Sequence, residues 1–178
     1  MTLIKELQKT IRDVPDFPKP GILFKDITPV LMNAALFART LDALAEPWKG
    51  QQVDAIVAIE SRGFLFGTGL ALRWGVPLVP ARKFGKLPGR TVREVYSLEY
   101  GEDTLEIHAD SLRPGLRVVI VDDLLATGGT AAAAGRLVGQ LGAEILAFLF
   151  LVELRGLGGR ECLADHAIEA LVEFEVQG

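Results

Sequence analysis

A chain of 178 residues suits one domain of ordinary size, with little room for a second folded unit. Hydrophobic residues make up 49% and charged residues 24%, the balance of a globular protein rather than a disordered one. A formal net charge of -4 argues against general attraction to nucleic acid or an anionic membrane, so any bound anion needs a local site.

Apolar spacing at Leu3, Ile4, Leu7 and Ile11 predicts a first helix, which the prolines at 15, 18 and 20 end. An irregular segment follows, then a helical pattern from about Asn33 to Ala45. Val53 to Ile59 reads as a buried strand, and Gly63 to Trp74 as a helix in which Gly67 and Gly69 lower the propensity. Val76 to Pro80 reads as a short strand, and the stretches near Ser97–Tyr100 and Thr104–His108 as a hairpin or sheet edge. Arg117 to Val121 is β-branched and the clearest strand, followed by an Ala-rich helix from Ala131 to Leu141. Glu144 to Leu151 and Ala167 to Val176 complete the strands. Strands alternating with helices predict an α/β fold with a mainly parallel, doubly wound sheet flanked by helices, in one domain over 1–178.

The amino terminus lacks the apolar run of a secretory signal and no stretch is long enough to cross a bilayer, so the expected location is the cytoplasm, away from membranes. Cys162 is the only cysteine, which excludes an intrachain disulfide and reads as a small buried hydrophobe. His108 and His166 stand far apart with no cysteine or carboxylate at ligand spacing, so no metal site built directly from protein side chains is expected.

In doubly wound sheets, ligands sit beyond the carboxyl ends of the strands. Val121 is followed by Asp122-Asp123-Leu124-Leu125-Ala126-Thr127-Gly128-Gly129-Thr130, two carboxylates at a strand end and a glycine-threonine loop at a helix start. Glycines admit backbone N–H groups to a phosphate, hydroxyls donate, and the helix dipole favours negative charge. No Gly-Lys-Ser or Gly-Lys-Thr follows, so this is not a Walker loop. Asp122 and Asp123 would repel a phosphate; they suit sugar hydroxyls, or a magnesium ion reached through its waters. A phosphorylated sugar satisfies both halves. Ser61-Arg62-Gly63 repeats the strand-to-helix anion geometry on another strand and adds a guanidinium.

The string from Val118 to Thr130 closely resembles the phosphoribosyl pyrophosphate (PRPP) signature of type I phosphoribosyltransferases. Further stretches, Asp16 to Pro29, Glu60 to Gly67 and Tyr96 to Gly101, resemble the adenine-using branch of that family. The resemblance implies a small N-terminal base-binding hood drawn from residues 1–32 and a flexible lid loop. It assigns Ala126, Thr127, Gly128, Gly129 and Thr130 to the 5-phosphate and Asp122 and Asp123 to the ribose hydroxyls. Pyrophosphate falls to Ser61 and Arg62 and, in the basic lid stretch 82–90, to Arg82, Lys83 and Lys86. Adenine falls to backbone groups at Leu23, Phe24 and Lys25, with Phe24 and Leu154 on the two faces of the ring. A backbone C=O and N–H match adenine's amino donor and N1 acceptor, whereas hypoxanthine reverses that order. Glu99 is the implied catalytic acid/base. The implied reaction consumes adenine and PRPP and yields AMP and pyrophosphate, with magnesium as cofactor and a homodimer as the assembly. A transferase for another base such as xanthine, or a protein that binds PRPP as a signal without turnover, shares the PRPP motif.

Overall fold

The computed structural model describes residues 1–98 and 101–176, and these fall into two compact units, Met1–Pro47 and Trp48–Gly178. In the first, helix α1 (Leu3–Thr10) starts at Thr2, whose hydroxyl accepts from the Lys5 N–H, and buries Leu7 completely. The segment read as irregular holds two three-residue strands and a short helix. Strand β1 (Arg12–Val14) pairs antiparallel with β2 (Phe24–Asp26), placing Asp13 opposite Lys25. The connection between them contains a cis Phe17–Pro18 bond and is braced by the Gly21 N–H donating to Asp16 Oδ1 at 2.7 Å.

Helix α2 (Thr28–Met32) follows, with Pro29 in its first turn, where a missing N–H costs nothing. Helix α3 (Ala34–Ala45) is capped by Asn33, whose Oδ1 accepts from the Leu36 N–H at 3.1 Å. Such a cap contributes about 1 kcal/mol. The helix buries Leu36, Leu41 and Leu44, and a single 3-10 turn follows at Glu46–Trp48.

The second unit is built on a seven-stranded sheet. Its centre is β3 (Ala55–Ile59), every residue of which is buried, as its unbroken apolar run requires. Helix α4 (Gly63–Trp74) leads to β4 (Leu78–Lys83), parallel to β3. The hairpin of β5 (Thr91–Leu98) and β6 (Gly101–His108) adds antiparallel at that side. The chain then returns to the other side of β3 with β7 (Arg117–Leu125), followed by α5 (Gly129–Gln140), β8 (Glu144–Arg155), a turn of helix α6 (Gly159–Cys162) and β9 (Ala167–Glu175). Strand order is β5-β6-β4-β3-β7-β8-β9, with β4, β3, β7, β8 and β9 all parallel.

This is the expected mainly parallel, doubly wound sheet with helices between its strands. The chain adds strands to one side of β3 and then, from β7 on, to the other, so the crevice beyond the carboxyl ends of these two parallel strands is the topological switch point. Three expectations need correction. The strand read as Val76–Pro80 lies at Leu78–Lys83, carrying Arg82 and Lys83 out of the basic loop into the sheet. The strand read as ending at Val121 continues to Leu125, because it still pairs with β8 through Leu125 and Glu153. Cys162 is exposed rather than buried, since α6 is one short turn at the surface.

Candidate active site

The carboxyl ends of β3 and β7 and the starts of α4 and α5 enclose a cleft of about 220 Å³. Ser61, Arg62, Lys83, Asp122, Asp123, Ala126, Thr127, Gly128, Gly129 and Thr130 line it, with Glu60 beside them. Two separate sequence motifs, some 60 residues apart, thus meet at one place.

Their fit depends on a missing side chain at Gly63, the first residue of α4. A Cβ there would lie 2.6 Å from the Val121 carbonyl oxygen and 3.0 Å from Asp122 Oδ1. Only glycine lets the start of α4 press against β7, and that contact sets the distance from Ser61–Arg62 to the acidic pair. The peptide between Glu60 and Ser61 is cis.

Asp122 and Asp123 occupy successive positions of β7, and the Asp123 N–H donates to Asp122 Oδ1 at 2.8 Å. Asp123 is only 3% exposed, with Arg62 Nε 3.0 Å from its Oδ2, an ion pair at an angle too poor for a hydrogen bond. Burial, and then the neighbouring Asp123 charge, pushes the Asp122 carboxyl well above the ordinary carboxylate range. Burial also raises Asp123, opposed first by the Arg62 charge. The pair holds its second negative charge at a cost, and hydroxyl donors or a cation entering the cleft would relieve it.

The loop after β7 turns at Gly128, whose φ of +84 belongs to the left-handed region. A Cβ there would meet the Gly159 carbonyl oxygen at 2.9 Å and the Cys162 side chain at 2.8 Å, so α6 backs the loop from behind. Thr127 is exposed and α5 begins at Gly129, so hydroxyls and free helix N–H groups surround the cleft floor.

Every cation nearest the cleft is already matched by an acid. Arg82 holds Glu60 through Nε and a terminal nitrogen, both at 3.2 Å, and donates to the Lys86 carbonyl at 3.0 Å. The Lys83 N–H also donates to Glu60, at 2.9 Å. Burial would raise the Glu60 carboxyl, but these bonds hold it below the ordinary range. The Lys83 ammonium reaches Asp103 and the Tyr96 hydroxyl. Arg82 and Lys86 do not themselves line the cleft.

Residues 84–90 connect β4 to β5, and their backbone is tied to Glu106, a residue to which sequence reasoning gave no role. Glu106 is 1% exposed; its Oε1 accepts from Gly85 and Leu87 N–H at 3.0 and 3.2 Å. Its Oε2 accepts from the Thr91 hydroxyl at 3.1 Å and from Arg93 Nε at 3.3 Å. Glu60 and Asp103 were missed as well. The signal for Glu106 lay in the alternation Leu105-Glu106-Ile107, which sets one carboxylate against the face opposite two apolar side chains.

Of the residues assigned to the base, Leu154 lines a separate hollow of about 300 Å³ with Glu153, Arg155 and Arg160. In the first unit, Phe24 stands edge-on to Phe17, with ring centroids 5.1 Å apart. Lys25 is buried and its ammonium contacts Asp13 at 2.5 Å, while Leu23 is half exposed. Glu99 lies outside the described residues.

Comparison with known proteins agrees with this geometry. The family model "Phosphoribosyl transferase domain" matches residues 26–169. The adenine phosphoribosyltransferase of Anaeromyxobacter dehalogenans strain 2CP-1 is 52% identical over 172 residues, covering 97% of this chain and 100% of that protein. The crystal structure of adenine phosphoribosyltransferase from Thermoanaerobacter pseudethanolicus superposes with a TM-score of 0.94 at 53% identity, over 97% of this chain and 100% of that one. The enzyme of Saccharomyces cerevisiae, solved with an imino-altritol bisphosphate and adenine, gives a TM-score of 0.90 at 46% identity, over 95% and 98% of the two chains. With the switch-point cleft, these similarities establish that the chain belongs to the phosphoribosyltransferase family, among the adenine phosphoribosyltransferases.

Proposed function

We propose that this chain joins N9 of adenine to C1′ of PRPP, giving AMP and releasing pyrophosphate. One observation carries the reading: a single cleft at the switch point holds an anion loop, an acidic pair suited to a diol, and a second anion turn bearing Arg62. Ala126 to Thr130 hold the 5-phosphate through backbone N–H groups, hydroxyls and the start of α5. Asp122 and Asp123 accept hydrogen bonds from the ribose hydroxyls, which adds to the charge relief given by Arg62 and the Asp123 N–H. Ser61, Arg62 and Lys83 take the pyrophosphate, while Arg82 and Lys86 add positive potential beside it.

For adenine, the reading rests on backbone. The Lys25 ammonium contacts Asp13, and backbone groups of Leu23, Phe24 and Lys25 are assigned to the base. Leu154 is assigned to apolar contact with it. As N9 attacks and C1′ inverts, oxocarbenium-like charge develops on the sugar, and Glu99 handles the base proton. No covalent enzyme intermediate is required.

Magnesium, when bound with PRPP, would neutralise charge on the departing pyrophosphate. Asp122 and Asp123, two of the carboxylates lining the cleft, would hold the ion through its water shell. The enzyme is assigned to the cytoplasm as a homodimer. The test is a purine panel with PRPP and magnesium, with the product identified. AMP from adenine, with hypoxanthine and xanthine far slower, supports the reading. Preference for another base, or PRPP binding without turnover, overturns it.

A further inference from the structure

The loop 84–90 carries Lys86 and is flanked by Arg82 and Lys83, yet it is not held by regular structure. We propose that Glu106 is the positioning residue of this loop, a buried carboxylate that fixes its backbone so that Lys86 adds positive potential beside the pyrophosphate; this rests on the function proposed above.

The geometry is specific. Oε1 takes the two backbone N–H groups of Gly85 and Leu87, near the loop's start, while Oε2 takes Thr91 and Arg93, just beyond its end. One carboxylate thereby closes the loop at both ends. Arg93 also lies over the exposed Phe84 ring, its guanidinium carbon 4.5 Å from the centroid, which joins the two stems a second time. Burial alone would raise the Glu106 carboxyl; the Leu87 and Gly85 N–H groups, Thr91 and Arg93 together hold it below the ordinary range, so it stays ionised at neutral pH.

Among the described residues, Glu106 is the carboxylate that takes donors from both this loop and the strand after it. The loop's other ties run through single backbone groups: Phe84 N–H donates to the Thr104 carbonyl at 3.0 Å, Lys86 N–H to the Lys83 carbonyl at 3.2 Å, and Ala109 N–H to the Arg90 carbonyl at 3.0 Å, while His108 Nε2 meets the Pro88 carbonyl at 2.9 Å and Arg82 donates to the Lys86 carbonyl. Glu106 does not line the cleft. It acts through the loop, so its removal should weaken pyrophosphate and spare the 5-phosphate site.

The experiment compares wild type with Glu106→Ala and Glu106→Gln, titrating each full-length protein separately with magnesium pyrophosphate and with ribose 5-phosphate by calorimetry. The alanine variant, losing all four bonds, is expected to bind pyrophosphate about tenfold more weakly, the equivalent of about one strong hydrogen bond. The glutamine variant keeps an acceptor for the Gly85 and Leu87 N–H groups but loses the charge facing Arg93, and about threefold is expected, the equivalent of one weak neutral hydrogen bond. Ribose 5-phosphate affinity should be unchanged in both. If either folded variant retains native pyrophosphate affinity, or loses both ligands by the same factor, the proposal is overturned. A wild-type chain that makes no AMP from adenine and PRPP overturns instead the reading of function, and this inference with it.

Discussion

Gly63→Ala tests whether the contact between α4 and β7 sets the geometry of the site. The new Cβ would stand 2.6 Å from the Val121 carbonyl oxygen, whereas a carbon-to-oxygen contact normally settles at about 3.3 Å or beyond. Its other nearest atoms, Asp122 Oδ1 at 3.0 Å and Asp122 Cα at 3.1 Å, belong to the same stretch of strand. Strand β7 is hydrogen-bonded on both sides, by β3 and β8, so α4 must retreat by roughly 0.7 Å to restore ordinary contact. Overpacking of this kind costs about 1–3 kcal/mol, which lowers the melting temperature by roughly 2–12 °C in a chain of this size. The retreat also drags Ser61 and Arg62 from the acidic pair, and displacements approaching 1 Å in a binding site reduce turnover by up to about a hundredfold. Differential scanning calorimetry and steady-state kinetics with PRPP provide the assay. Gly139→Ala is the control, because a Cβ at that exposed α5 position meets nothing within 4 Å and should be neutral or slightly stabilising. Native melting temperature and native kcat/KM in Gly63→Ala would refute the argument.

Asp122→Asn should stabilise the ligand-free protein at pH 7 by about 1 kcal/mol, roughly 2–4 °C, while weakening PRPP. The sign follows from the raised carboxyl: its stabilising contribution is complete below the unfolded value of about 3.9 and is lost as pH climbs through the folded one. The gap between variant and wild type should therefore close towards pH 4, and melting curves showing a pH-independent gap would count against it. Gly128→Ala forces a side chain into left-handed backbone, at about 1–2 kcal/mol, and into the Gly159 carbonyl oxygen; ribose 5-phosphate affinity should fall about tenfold by calorimetry. Glu99→Gln should slow single-turnover AMP formation by about a hundredfold or more with PRPP affinity intact, and unchanged turnover would remove Glu99 from the chemistry.

Much of this architecture was legible because its signals are periodic. The all-apolar run of β3, the 3.6-residue spacing of α1 and the glycine-threonine loop each follow from local physics, and the structure places α4 at Gly63–Trp74 as read. Strands β1 and β2 were invisible because three residues carry no period, and their pairing is fixed by the Asp13–Lys25 contact and the turn between them. The extension of β7 through Asp122 and Asp123 was missed for a different reason. A strand read by hydrophobicity stops at its first charge, whereas the ladder with β8 continues as long as backbone groups find partners. Glu60, Asp103 and Glu106 were illegible as individuals, since a glutamate or aspartate declares its role only through the cation or N–H group that folding brings to it.

Acids paired with the cations at the cleft change how the site selects its ligand. Arg62 rests on Asp123, Arg82 on Glu60 and Lys83 on Asp103, so an arriving phosphate finds cations that must first be shared or released. A bare polyanion that drew Arg62 away would leave Asp123 buried with less compensation, a penalty of about 1–3 kcal/mol for such a group. On the proposed function, a ligand with both pyrophosphate and a ribose diol avoids that penalty, because its hydroxyls donate to the acid pair as its phosphates engage the cation. On the function proposed above, the paired charges of the cleft discriminate against inorganic anions, and a preference for an activated sugar phosphate comes from the exchange of partners rather than from a surplus of positive charge.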